Sequence, residues 1–213
     1  MKKILIFYGS FGGGHLSAAR NIKEYIDNNY KDTETCIVDC IESINKYLNK
    51  FTTKAYTNMA QKAQWVWKKV YYGAETGPIS KISAKAQKIM AIKLCKIILS
   101  YNPDLIISTH PFSSYMCALL KKKKKIHCKI STVLTDYAPH GQWLMHSAYV
   151  DYFFVAHDGM KENLLKRGIR ETQIKVTGIP LSNRFLLNYD KEKVLSEYGL
   201  VLGKKTILFF AGR

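Results

Sequence analysis

The sequence has no run of the roughly 18–20 apolar residues that a membrane-spanning helix needs, so no segment of it reads as a transmembrane anchor. No secretion signal is expected from its first residues either. The two lysines at the N-terminus lead only a short apolar run, residues 4–8, and the glycine-rich stretch that follows offers neither a longer apolar region nor a cleavage site. A cytoplasmic location is the expectation. No C-x-x-C pair is present. The five cysteines (Cys36, Cys40, Cys95, Cys117 and Cys128) sit in apolar segments and read as reduced core thiols rather than zinc ligands or redox partners. No histidine or cysteine grouping has metal-ligand spacing. Acidic residues are scarce, 16 against 33 Lys and Arg, and the resulting formal charge of +17 implies a polyanionic partner. That partner is nucleic acid or an anionic membrane surface, and charge alone does not choose between them. Internal repeats are absent, as is low complexity beyond one lysine run.

What is there is a core and a regular alternation. Apolar residues make up 47% of 213 positions, enough for one well-buried α/β domain and too few for two full ones. Strand patterns at 4–8, 35–39, 104–108, 129–134, 152–155 and 174–176 alternate with helical patterns at 15–30, 82–100, 113–121 and 159–167. A further long helical stretch is predicted over 42–72. Such alternation predicts a doubly wound parallel sheet of the Rossmann-like class. Ligands on such sheets bind at the carboxyl ends of the strands, which directs attention to the loops that follow each strand.

The first of these loops is Gly9-Ser10-Phe11-Gly12-Gly13-Gly14-His15. Glycines let the chain turn sharply and let a ligand approach the N-terminus of the next helix. The spacing departs from the dinucleotide G-x-G-x-x-G, so Asp39, at the end of the second strand, is a weak ribose-binding acid. His15, at a helix N-terminus, is expected to be neutral because the helix dipole disfavours imidazolium. A neutral imidazole at the rim can take a proton from a hydroxyl, or it can simply brace the loop. The third strand runs into Ser108-Thr109-His110-Pro111-Phe112. The fourth runs into Thr135-Asp136-Tyr137-Ala138-Pro139-His140, with Trp143 close behind. Asp136 is placed to orient a histidine, to bind a hydroxyl, or to cap the next segment. His110 and His140 are rim residues that a purely structural role would also explain.

Taken together, the stretches 9–15, 108–112, 135–143 and 177–180 resemble the monogalactosyldiacylglycerol synthase and processive diacylglycerol glucosyltransferase family, in the right order over residues 4 to about 190. The resemblance implies a two-domain GT-B glycosyltransferase that moves a hexose from a nucleotide sugar to diacylglycerol with inversion. Its N-terminal half would bind the acceptor. His15 would match the family's glycine-loop histidine, the proposed general base, with Asp136 as a second catalytic candidate. Gly12, Gly13, Gly14, His110, Thr135, His140 and Trp143 would line the acceptor pocket. The nucleotide sugar, a UDP-hexose by expectation, would be bound mainly by a C-terminal half, and this chain itself would carry no cofactor. No Asp-x-Asp pair is present to hold the nucleotide through a metal. Residues 1–180 are thus expected to form the acceptor domain, 181–204 a linker and helix, and 205–213 the first strand of the second domain. Ala211 stands where that domain's glycine-rich turn would be expected. On this reading the chain is an incomplete enzyme, inactive alone.

Residues 42–72 carry an apolar stripe at helical spacing, running from Ile44 to Val70, flanked by lysines and aromatics. Trp65, Trp67, Lys68, Lys69, Tyr71 and Tyr72 suit an element lying in a bilayer interface, although an ordinary packed amphipathic helix has the same pattern. Lys121–Lys125 falls on the edge opposite the ligand rim and reads as a solvated loop. The expected location is therefore the inner face of the cell membrane, peripherally attached. Two alternatives remain: a glycosyltransferase acting on a polyprenyl-linked cell-wall intermediate, and a non-catalytic basic module for membranes or nucleic acid. No nucleic-acid reader motif accompanies the charge.

Overall fold

Successive side chains of a strand point to opposite faces, and β1 (Lys2–Tyr8) uses both: Leu5, Ile6 and Phe7 are all fully buried. Leu5 and Phe7 join one apolar cluster and Ile6 joins another, on the other side of the sheet. The same division recurs at Ile106 against Ile107 and at Phe153 against Phe154. Runs apolar on both faces are what a parallel sheet covered on both sides requires.

The computed structural model describes residues 1–10, 13–44 and 84–209. Residues 1–181 make one unit and 182–213 a second. In the first unit β1 is followed by α1 (Gly13–Asn29), β2 (Thr33–Asp39), α2 (Ala84–Tyr101), β3 (Leu105–Ser108), α3 (Pro111–Lys122), β4 (Lys129–Val133), β5 (Tyr152–Val155), α4 (Asp158–Lys166) and β6 (Ile174–Val176). The six strands lie in the order β2-β1-β3-β4-β5-β6, every neighbouring pair parallel. The doubly wound parallel sheet expected from the sequence is therefore present. Between β4 and β5 the crossover is made by two short 3-10 turns, Gly141–Leu144 and Ser147–Tyr149, instead of a full helix.

The larger cluster joins Leu94 and Ile98 of α2, Met116 of α3 and Met160 and Leu164 of α4 to the sheet. Its greatest side chain is the fully buried Trp143. On the other face α1 contributes Ala19 and Ile26, with Ile22 packed at the margin, a spacing of three to four residues that makes one helical stripe. The five thiols are unbonded to one another, with Cys40 and Cys117 buried.

The lysine run ends α3, where Lys121 and Lys122 complement the negative end of the helix. Lys121 pairs with Asp151 at 2.6 Å, so the run is only partly free in solvent, while Lys122 to Lys125 are exposed. Most of the predicted helical stretch 42–72 lies outside the described residues, including Trp65, Trp67, Lys68, Lys69, Tyr71 and Tyr72. Ile41 to Ile44 form a turn. Among the described residues no helix is long and apolar enough to cross a membrane.

The second unit holds a 3-10 turn, Asn183–Leu186, and α5 (Lys191–Glu197), capped by the Asp190 carboxylate, which accepts from the backbone N–H groups of Glu192 and Lys193. The strand expected within 205–213 is not found at 205–209, which have no regular structure. A strand exists through its ladder, and among the described residues no neighbour pairs with these. Ile207, Leu208 and Phe209 stay exposed.

Truncating Ile106, fully buried at the centre of β3, is expected to cost about 2–5 kcal/mol, whereas truncating the exposed Tyr25 should stay within about 0.5 kcal/mol. Urea denaturation of Ile106→Ala and Tyr25→Ala checks this, and equal midpoints for the two variants would contradict the core assignment.

Candidate active site

The strand order places β1 beside β3, and the chain leaves these two strands into different connections. A crevice opens at such a point, beyond the carboxyl ends of the strands. Gly9, Thr109 and Thr135 follow β1, β3 and β4 there. A Cβ built on Gly9 would stand 2.8–3.0 Å from the His110 ring. Only glycine lets the two loops meet this closely. Ser10 donates to the Asp39 carboxylate, whose other oxygen accepts from the N–H groups of Ile41 (2.8 Å) and Glu42 (3.0 Å). Asp39 is buried and spent on bracing the loops, which accounts for it without a ribose.

Helix α1 begins at Gly13, putting His15 in its first turn. Gly13 and Gly14 are exposed, and Gly12 lies outside the described residues. His15 Nδ1 lies 2.6 Å from the Thr109 carbonyl oxygen and 2.8 Å from Thr135 Oγ1. The Thr109 hydroxyl in turn donates to the His15 carbonyl at 2.9 Å. His110 caps α3, its Nδ1 accepting from the Phe112 N–H at 3.2 Å with Pro111 at the first helical position. Its ring stands edge-on to His15, centroids 4.6 Å apart and planes at 75°.

Asp136 accepts a hydrogen bond from the Trp143 indole N–H and lies 3.4 Å from His140 Nε2. His140 and Trp143 rings stand 6.2 Å apart, and His15 and Trp143 6.4 Å. The structure therefore brings His15, His110, Thr135, Asp136, His140 and Trp143 into one cluster at the rim. Within it Asp136 bonds to Trp143 and pairs with His140; the groups at His15 Nδ1 are the two threonines. Trp143 is wholly buried and acts as a floor. Thr109 was not singled out in the sequence, because the feature that matters is its backbone oxygen, which every residue possesses.

Burial is the largest influence on His15 and lowers its proton affinity. The Thr109 carbonyl and the Asp136 charge oppose this, His140 adds to it, and the net value lies below that of an ordinary histidine. The sequence predicts a neutral ring from the helix dipole; in the folded chain desolvation is the main physical cause. His110 lies well below the ordinary value, through burial first, then His15 and His140 against the pull of Asp136. Burial pushes Asp136 up, but hydrogen bonds from His140 and Trp143, with the charges of His140 and His15, outweigh it and hold the carboxyl low. The cluster thus sets a carboxylate held low beside two imidazoles, His15 and His110, whose proton affinity burial lowers.

The sequence profile of the family described as monogalactosyldiacylglycerol (MGDG) synthase matches residues 15–181. The chain belongs to this family. Among curated relatives, a processive diacylglycerol beta-glucosyltransferase of Staphylococcus epidermidis is 31% identical over 212 residues, covering 99% of this chain and 52% of the relative. One from Staphylococcus aureus is 30% identical over 213 residues with the same coverage. The chain spans about half the length of the curated relatives it matches.

Two solved structures share the fold at 16% identity. A lipopolysaccharide outer core galactosyltransferase in its apo form has a TM-score of 0.50 and covers 83% of this chain and 45% of its own. The UDP-GlcNAc 2-epimerase of Methanocaldococcus jannaschii has a TM-score of 0.52 and covers 84% and 46%. As a member of the monogalactosyldiacylglycerol synthase family, the chain has a Rossmann-like fold that it shares with part of a glycosyltransferase and part of an epimerase.

Two outcomes follow for this half. Gly9→Ala should destabilise it by about 1–3 kcal/mol, since the added methyl meets a buried ring with nowhere to retreat. A denaturation midpoint unchanged from wild type would show that the loops do not meet as described. The second concerns pH. His15, His110 and His146 (the last lowered by burial and by Lys122 and Lys123) all have folded values below the unfolded value near 6.5. The unfolded chain therefore binds protons first. The stability these groups contribute is complete well above pH 6.5 and falls as the pH drops, by up to about 1.4 kcal/mol per unit for His15 and for His110 and by less for the more solvated His146. Equilibrium unfolding between pH 7.5 and 5 should show this slope, before carboxylates titrate.

Proposed function

We propose that this chain is the acceptor-side half of a glycosyltransferase that transfers a hexose from a nucleotide sugar to diacylglycerol, with inversion, and that His15 is the general base. The observation that carries the reading is a part-buried histidine of lowered proton affinity, held where β1, β3 and β4 end in a member of this family. As the acceptor oxygen attacks C1 of the hexose from the face opposite the nucleotide, its proton passes to the imidazole. The bond from C1 to the phosphate oxygen breaks, and its electron pair leaves with the nucleoside diphosphate. A ring of lowered proton affinity is unprotonated at neutral pH and free to accept.

Asp136, 3.4 Å from His140, supplies negative charge near the ring that becomes cationic. His110, Thr135 and the first turn of α1 border the space open to the acceptor hydroxyl. The nucleotide sugar, a UDP-hexose on this reading, is held mainly by residues beyond this half. The exposed apolar segment at 205–209 belongs, on this reading, to the opening strand of that second half. Attachment to the inner face of the membrane would be made by the lysines and aromatics around Trp65, Trp67, Lys68, Lys69, Tyr71 and Tyr72, an assignment that rests on their sequence pattern and on the charge of +17.

The test uses a protein that extends this chain to the length of its relatives, supplied with labelled nucleotide hexoses and diacylglycerol-containing liposomes. Labelled glycolipid is expected, and His15→Ala should lower turnover by about 10²–10⁴-fold with little change in melting temperature. Near-normal turnover in that variant would remove His15 from the base role, and labelling only of polyprenyl-linked acceptors would overturn the choice of lipid.

A further inference from the structure

The pair formed by His15 and Thr109 is reciprocal. The ring nitrogen Nδ1 reaches the Thr109 carbonyl at 2.6 Å, and the Thr109 hydroxyl reaches back to the His15 carbonyl at 2.9 Å. That hydroxyl also lies 3.2 Å from the Phe7 carbonyl, which the Thr109 N–H already meets at 2.9 Å. One fully buried threonine thus ties the end of β1, the first turn of α1 and the end of β3 into a single piece. Resting on the reading of His15 as base, we propose that Thr109 is the positioning residue of this site: its carbonyl oxygen fixes His15 as the Nδ1–H tautomer and leaves Nε2 as the nitrogen that takes the acceptor's proton.

A carbonyl oxygen has no hydrogen to give. At 2.6 Å the contact is a hydrogen bond only if the hydrogen is on Nδ1; with the hydrogen on Nε2, two lone pairs would face each other. Thr135 is compatible with this choice and does not make it. A hydroxyl can accept from Nδ1 or donate to it, so its 2.8 Å contact suits either tautomer. Once Nδ1 carries the hydrogen, Thr135 Oγ1 shares it as a second acceptor. Its own hydrogen then points to the Thr109 carbonyl, 3.4 Å away. The three groups satisfy one another only in that arrangement.

A carboxylate often orients a catalytic histidine, and Asp136 is the candidate the sequence offers. Here Asp136 bonds to Trp143 and His140. The orienting oxygen belongs to a peptide instead. A neutral carbonyl sets the tautomer as firmly as a carboxylate but stabilises imidazolium less. Among the described residues, the charged and titratable groups facing His15 are His110 from the loop after β3, and Asp136 and His140 from the loop after β4.

The experiment reads the tautomer directly, by two-dimensional nitrogen–hydrogen correlation of the histidine rings in this 213-residue chain at a pH where His15 is neutral. The wild-type ring is expected as a single Nδ1–H tautomer, with Nε2 at the shift of an unprotonated nitrogen. Thr109→Val, which keeps the shape and removes the tether, should move both nitrogens toward the averaged shifts of a mixed population, and Thr109→Ser should restore the wild-type pattern. A wild-type ring protonated on Nε2, or averaged between tautomers, overturns the proposal. A folded Thr109→Val variant whose ring is unchanged overturns the positioning role given to the Thr109 hydroxyl, because valine keeps the backbone carbonyl and lacks only the tether. The wild-type spectrum needs no substitution, so a variant that fails to fold still leaves the tautomer decided. No turnover is involved. Loss of the base role in the His15→Ala assay would leave the tautomer result standing, and the reverse also holds.

Discussion

Parallel pairing of β1 with β3, register Ile4 to Leu105 through Phe7 to Ser108, is the constraint on which the rest of the molecule turns. It brings two strands from distant parts of the chain to the same height, so the residues just beyond them have no freedom to avoid each other. Gly9 and His110 meet because of it, and so do His15 and Thr109. The pairing is held by the two apolar clusters, one on each face, through Leu5 and Phe7 against Ile106 and through Ile6 against Ile107. Stability and chemistry share one origin here. The residues that anchor the ladder lie one or two positions before those that line the rim.

The site is built of layers that differ in polarity. Beneath the rim, Ser113 bonds to Ser108 and to the His110 carbonyl, while Ser114 bonds to Thr132, all buried. Buried hydroxyls that are mutually bonded cost little and resist rearrangement, because each would lose a partner by moving. Above them are the imidazoles, and beside these the Asp136–Trp143–His140 group. His15, set between this bonded polar layer and a wholly buried indole, keeps its geometry without a ligand to shape it, as the proposed general-base role would require.

Much of this was legible in the sequence, and the reasons are local. The runs around Ile4–Tyr8 and Tyr152–Val155 announce strands because a sheet buried on both faces needs apolar residues on both. Glycines ahead of His15 announce a ligand-facing turn, and three strand-end loops rich in His, Thr and Asp share one rim once the sheet is known to be parallel. What the sequence did not disclose depends on distance. That Asp136 goes to Trp143 and His140 cannot be read from spacing, since a loop of seven residues can fold several ways. Asp39 resembled a ribose-binding acid until Ser10 and the turn at Ile41 and Glu42 took up its oxygens. The apolar run at 205–209 has strand composition, but composition supplies no neighbour to bond with.

The bonds that hold His15 span 94 and 120 positions of chain. Contacts this far apart in sequence are costly to close and form only after most of the intervening structure is in place. A chain that has made its helices and even its first β-α-β unit of β1, α1 and β2 still possesses a histidine in the first turn of α1, but one that is without its partners at β3 and β4 and free to rotate. The functional state of this imidazole is therefore a property of the completed sheet. It exists only while the ends of β1, β3 and β4 are held together, which makes the ionisation of a single ring a gauge of whether those strands are paired.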